Sequence, residues 1–191
     1  MTDMLWLRVD GYPAGCLATA DQLSALARRL DDASTVLTRD SHVPTADLDG
    51  LAADAFRAKA AELAEPTVRA AADTEGLAKA LRELGRDLAD AEESMDRIAA
   101  AARPHLRVLP DRVLAPERPR SFLEPEVVKA WEVFDLLERA HADARAREQR
   151  AQDDWRAAVA HFTSDGRTPL LAGIAWPVEH HPQVGPHIRE R

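Results

Sequence analysis

The sequence predicts an all-α protein, and three observations predict it. Apolar residues recur at three- and four-residue steps along several long segments, as on amphipathic helices. Hydrophobic residues make up 46% of the chain but aromatic ones only 5%, so the apolar content is mainly Ala, Leu and Val, which suits close-packed helices. Lys and Arg number 25 against 33 Asp and Glu, for a net charge of −8, and the two signs interleave as on solvated helix faces. The acidic excess also argues against nucleic acid or an anionic membrane as the main partner.

Each element follows in order. "MLWLRVDGYP", residues 4–13, is a short β-prone lead-in ended by Gly11 and Pro13. A first helix is expected over about residues 14–39, with Leu17, Leu23, Leu26, Leu30, Ala33 and Leu37 on one stripe. A loop follows, and Pro44 bars any helix before it. The second segment, residues 47–103, carries Leu48, Leu51, Phe56 and Leu63, then Leu77, Leu81, Leu84, Leu88, Met95 and Ile98. As one helix it would span roughly 80 Å. Pro66 should bend it, and Gly76 and Gly85 each cost about 1 kcal/mol relative to alanine.

Residues 103–125 hold Pro104, Pro110, Pro116, Pro119 and Pro125, which excludes a regular helix, while Leu106, Val108, Leu109, Val113 and Leu114 suit a segment lying against the helices. Pro125 sits in the first turn of a last helix, residues 125–162. Its stripe includes Val127, Trp131, Phe134, His141, Glu148, Trp155, Val159 and Phe162, and its middle, residues 139–154, is mostly Ala and charge and is expected to be lightly packed or solvated. Residues 163–191 are a tail with a local apolar run, "PLLAGIAWPV".

These lengths predict an elongated, mostly antiparallel bundle or coiled coil of three to four helices. The expected parts are a hairpin (1–103), a connector (104–124), a long helix folding back (125–162) and the tail (163–191). A thin bundle leaves stripe uncovered, and Leu26, Leu30, Leu77, Leu81, Leu84, Leu88, Trp131 and Trp176 are the residues expected to meet a partner.

The stretch "DLDGLAADAFRAKAAEL", residues 47–63, opens as a turn and continues as a helix. With "LRVDGYPAGCLATADQLSALARRL", residues 7–30, it resembles the WXG superfamily, the helical-hairpin proteins of actinobacterial type VII (Esx) secretion, and the N-terminal targeting domains of secreted polymorphic toxins. The resemblance covers residues 7–102. It implies that Leu48 stands at the tryptophan of the Trp-x-Gly turn, Asp49 at the variable site and Gly50 at the glycine, with Ala52, Ala53 and Ala55 letting the helices approach and Phe56 wedged between them. Leu48 departs from the pattern. So does the export signal: Tyr12 is followed at the fourth position by Cys16 and not by an acid. Trp131 and Asp135 show an aromatic and an acid at that spacing, although Trp131 also fits the packing stripe and acids are frequent on helices.

Other chemistry finds little purchase. Cys16 is the single cysteine, so neither an intrachain disulfide nor a Cys-rich metal site can form. His180, His181 and His187 gather with Glu179 in a proline-flanked tail that offers no rigid ligand geometry, and no metal or cofactor is expected. There is no Gly-x-Ser-x-Gly, no Gly-rich phosphate loop and no Cys–His context, so no catalytic residues are assigned. The N-terminus carries no basic segment followed by an apolar run, and nothing approaches the ~20 apolar residues of a membrane span, so a chain made soluble in the cytoplasm is expected, exported if at all without a cleaved signal.

The expected function is binding. The resemblance implies a type VII secretion substrate or an adaptor-like partner that pairs, as a hetero- or homodimer, with a WXG-like protein or a toxin. The rival readings are an immunity or regulatory protein that masks a toxin, and a homo-oligomeric coiled-coil scaffold.

Overall fold

The computed structural model describes residues 3–42, 50–117 and 125–164. Most of them are helical. The order is β1 (Met4–Trp6), α1 (Pro13–Ser41), α2 (Leu51–Ala102), β2 (Val108–Leu109), β3 (Arg112–Leu114) and α3 (Pro125–Ser164). Pro13 and Pro125 each occupy the first helical position, where the missing N–H costs nothing. Tyr12 supplies the carbonyl that accepts the Cys16 amide as α1 begins.

α2 runs unbroken through Pro66. Proline deprives the Glu62 carbonyl of its helical donor, but both residues face solvent, where water can take that bond. The neighbouring Thr67 hydroxyl donates to the Leu63 carbonyl at 2.7 Å. The two glycines expected to weaken α2 have packing roles. A Cβ at Gly85 would stand 3.0 Å from Leu17 Cγ, and one at Gly76 would stand 2.6 Å from Phe162 Cζ. Each glycine lets a neighbouring helix come closer than alanine would allow. Pro104 then stops α2 two residues after Ala102.

The all-α expectation needs one correction. A small antiparallel sheet of order β1-β3-β2 is present. Leu5 pairs with Val113 and Val108 with Val113, and both Leu5 and Val113 are fully buried. The same prolines that exclude a helix from this connector permit a hairpin. Pro110 provides the fixed negative φ of a turn's first central residue, between Leu109 and its partner Arg112.

The chain divides into two compact units: Met1–Leu17 with Leu81–Trp155, and Ala18–Ala80 with Arg156–Arg191. Each of the three helices contributes to both units. The first unit buries Leu5, Leu81, Leu88, Met95, Val113 and Phe134 most completely. Its α3 also carries Leu137, Ala144, Glu148 and Ala151 buried, so residues 139–154 bury one narrow face and leave the rest in solvent. The second unit buries Ala20, Leu23, Ala27, Ala53, Ala60, Ala71, Leu77 and Ala78, a core built largely of alanine.

Burial shows a seven-residue register that sets each helix's inward face. On α2 buried positions recur at 53, 60, 74, 81, 88, 95 and 102, joined from Leu77 onward by 77, 84, 91 and 98. On α3 it comprises 134, 141, 148, 155 and 162 with 137, 144, 151 and 158. This 3.5-residue period is the coiled-coil one.

Two outcomes test this packing. Phe134→Ala, at a site 1% exposed, should cost about 3–5 kcal/mol in urea denaturation, whereas Leu136→Ala, 66% exposed, should stay within about 0.5 kcal/mol. Desolvation, and then Asp90, Glu83 and Asp154, push the Asp87 carboxyl up. A raised folded-state value means that stability is lost as pH climbs from the ordinary carboxylate range through that raised value. Asp87→Asn should therefore match the parent at low pH and become the more stable chain as pH rises, by about 0.2–0.5 kcal/mol for each like-charged helix neighbour relieved.

Candidate functional site

Two features stand out, one polar and one apolar. The polar one belongs to the first unit. After the Leu7 amide donates to the Asp111 carbonyl at 2.8 Å, the chain runs on to residue 10 beyond the sheet, and α3 meets residues 6–10 with side chains. The His141 Nε2–H donates to the Trp6 carbonyl at 2.7 Å. Arg145 donates from Nη2 to the same carbonyl at 2.9 Å and to the Arg8 carbonyl at 2.6 Å. Glu148 Oε1 accepts the Asp10 amide at 2.6 Å, and Gln152 Nε2 donates to the Asp10 carbonyl at 3.0 Å. Arg145 Nη1 and Glu148 Oε2 close the set with an ion pair of 2.6 Å.

Residues 141, 145, 148 and 152 lie on one face of a helix, and residues 6, 8 and 10 share one side of an extended chain. The two periods match, so one helix face serves every second backbone group. Glu148 is only 4% exposed, and its charge is balanced by Arg145. The sequence reading placed His141 and Glu148 on the stripe but missed their partners. The visible signal was polar residues standing at positions otherwise occupied by Phe134, Trp155 and Phe162.

The apolar feature belongs to the second unit. Of the ten large hydrophobic residues left exposed among the described residues, six lie there: Leu26, Val36, Leu51, Phe56, Leu63 and Val68. Phe56 and Leu63 stand in the same register as the buried Leu77, yet remain 51% and 43% exposed. The alanine and threonine positions beside them, Ala60 and Thr74, are covered. One flank of the α2 seam is therefore packed and the other open.

Several sequence-level expectations change here. Leu77, Leu81, Leu84 and Leu88 are all buried within the chain and are not free for a partner, because their own chain already covers that part of the stripe. Leu26 is exposed and Leu30 is half-buried. Phe56 does not wedge between helices. Of the three alanines beside it only Ala53 is buried, while Ala52 and Ala55 face solvent. Gly50 has a φ of 105°, a conformation that favours glycine, and its carbonyl accepts the amides of Ala53 and Asp54. A Cβ there would meet nothing within 4 Å among the described residues.

Leu48, Asp49 and Trp176, and the tail histidines His180, His181 and His187, lie outside the described residues. Trp131 is half-buried, packs edge-on against Phe134 with centroids 5.8 Å apart and donates to the Glu117 carbonyl at 3.1 Å. Asp135 is exposed. Burial pushes the Cys16 thiol up from its ordinary value. An open cavity of about 340 Å³ lies in the first unit, between Ser94, Arg97 and Ile98 on α2 and Leu137, Asp143 and Arg147 on α3. Its two arginines bond carbonyls of their own helices. Among the described residues, no helix is long and apolar enough to cross a membrane.

Removing the clamp's centre tests it. Glu148→Ala leaves the Asp10 amide without its acceptor and Arg145 without its counter-charge, and should cost about 2–3 kcal/mol. The loss should be accompanied by faster hydrogen exchange at Asp10, with Glu148→Gln falling between the two chains.

The chain matches no family model, no curated protein and no solved structure.

Proposed function

We propose that this chain is a non-enzymatic helix-binding protein whose partner packs on the open apolar face of α1 and α2. One observation carries this reading: six of the ten large hydrophobic residues left exposed among the described residues, Phe56 and Leu63 among them, lie in this one unit. Exposed Leu26 and Val36 on α1 extend the apolar surface available. A partner helix or helical hairpin laid there would complete a bundle and bury those side chains.

Within one unit α1 meets α2 where Ser24 Oγ donates to Glu75 Oε1 at 3.3 Å, and within the other where Gly85 approaches Cys16 and Leu17. From the resemblance of residues 7–102 to WXG hairpins, the reading takes its setting: a type VII secretion substrate or adaptor whose partner is a WXG-like protein or a toxin. The turn motif and the Trp131/Asp135 spacing belong to that part of the proposal.

Light-scattering mass after size exclusion tests it, on the chain alone and co-expressed with the products of the flanking genes. A one-to-one complex abolished by Phe56→Asp with Leu63→Asp, in a chain that stays helical, is the expected result. A complex indifferent to those changes overturns the assignment of this face. A self-oligomer that ignores every flanking product overturns the hetero-partner reading in favour of a scaffold.

A further inference from the structure

The cavity of about 340 Å³ in the first unit brings two arginines together, Arg97 from α2 and Arg147 from α3. Each has an acid four residues before it, Glu93 and Asp143, the spacing that often gives an ion pair across a helical turn. Elsewhere in the chain comparable spacings do pair, as in Arg69 with Glu65 and Arg145 with Glu148. Here each arginine instead donates its Nε–H to the backbone carbonyl of that acidic residue, at 3.3 Å in both helices. Arg97 also donates from Nη2 to the Ser94 hydroxyl at 3.2 Å. Among the described residues neither arginine has a carboxylate partner. The chain carries a net charge of −8, so two cations without a counter-ion at one cavity do not reflect a shortage of acids. The rest of the lining is largely apolar. Ile98 and Leu137 are buried, and Ala140 contributes only a methyl group, which leaves the space open.

We propose that this cavity binds a small organic monocarboxylate with a short apolar chain. Arg97 and Arg147 hold the carboxylate, and Ile98, Leu137 and Ala140 receive the chain. A guanidinium matches a carboxylate with two parallel N–H donors, and bonding of each Nε to its own helix leaves Nη donors on both arginines for a ligand. Asp143 also lines the cavity, so the formal charge of the lining is two positive and one negative. The remaining single positive charge suits one carboxylate and disfavours a phosphate dianion. The volume is near the lower end of the roughly 300–1,000 Å³ of small-molecule sites, which limits the ligand to a few carbon atoms beyond its carboxylate. All of these residues belong to the first unit, whereas the partner face proposed above belongs to the second, so neither reading rests on the other.

The test is a titration of the full-length, nitrogen-15-labelled chain with hexanoate, followed by amide NMR shifts. Saturable shifts should centre on residues 94–98 and 137–147. Hexanol, which has the chain without the charge, and inorganic phosphate, which has charge without the chain, should each bind at least about tenfold more weakly, since charge-assisted bonds and apolar burial each contribute on that scale. Arg97→Gln with Arg147→Gln should weaken hexanoate by at least about tenfold. Ala140→Leu keeps both arginines and fills the cavity, and should abolish the shifts. Residues 97, 140 and 147 are all exposed, so the helical circular dichroism and the melting temperature of these variants should match the parent and separate lost binding from lost folding. Absence of saturable shifts in the parent overturns the proposal. So does phosphate binding as tightly as hexanoate, which reduces the site to general anion attraction, and so does undiminished hexanoate binding in either variant.

Discussion

A 52-residue helix has to bury an apolar stripe along its whole length, and much of this fold answers to that demand on α2. Neither other helix is as long: α1 has 29 residues and α3 has 40. Where α2 is covered it buries Leu77, Leu81, Leu84, Leu88, Met95 and Ile98. Toward its start the inward face is built of Ala53, Ala60 and Ala71, and the large residues of the same stretch turn outward. Full burial of a leucine or phenylalanine contributes about 1.5–3 kcal/mol, so leaving Phe56 and Leu63 half exposed forgoes stabilisation that an occupant would recover. That unrecovered burial is the physical basis for reading a binding surface here.

The second organising device is polar. β1 is an edge strand, and an unpaired edge invites association with other chains. Here the backbone that continues it, residues 6–10, is occupied by His141, Arg145, Glu148 and Gln152. The helix thus does with side chains what a neighbouring strand would do with amides. Glu148 could not be buried without Arg145 and the Asp10 amide, because an isolated buried carboxylate is far costlier than a paired one. This bonding ties the N-terminal segment to the middle of α3 and explains why one face of an alanine-rich, charged stretch is buried.

Much of this was visible in the residues. Helix positions came through to within a few residues, because their signals are local: Pro13 and Pro125 at first turns, Pro104 after the end of α2, and a three-to-four-residue apolar step. The hairpin of β2 and β3 was not anticipated. Five short, proline-flanked apolar residues fit a coil pressed on helices as well as two strands, and only pairing with Leu5 separates the two. The candidate site was half legible. Leu26 and Phe56 were named, but burial of Leu77 through Leu88 inverted their expected role. An apolar residue looks the same in the sequence whether its own chain covers it or not.

By itself, the sequence determined the helical class, the helix limits and the mixed-charge surface, since each depends on near neighbours along the chain. The tertiary structure alone decided which length of the α2 seam is covered and which is open. It also decided that His141 and Glu148 face backbone and not solvent, and that Gly76 and Gly85 admit Phe162 and Leu17. These outcomes depend on contacts between residues as much as 138 positions apart, and the geometry of such contacts is set by how the helices pack and not by any local pattern.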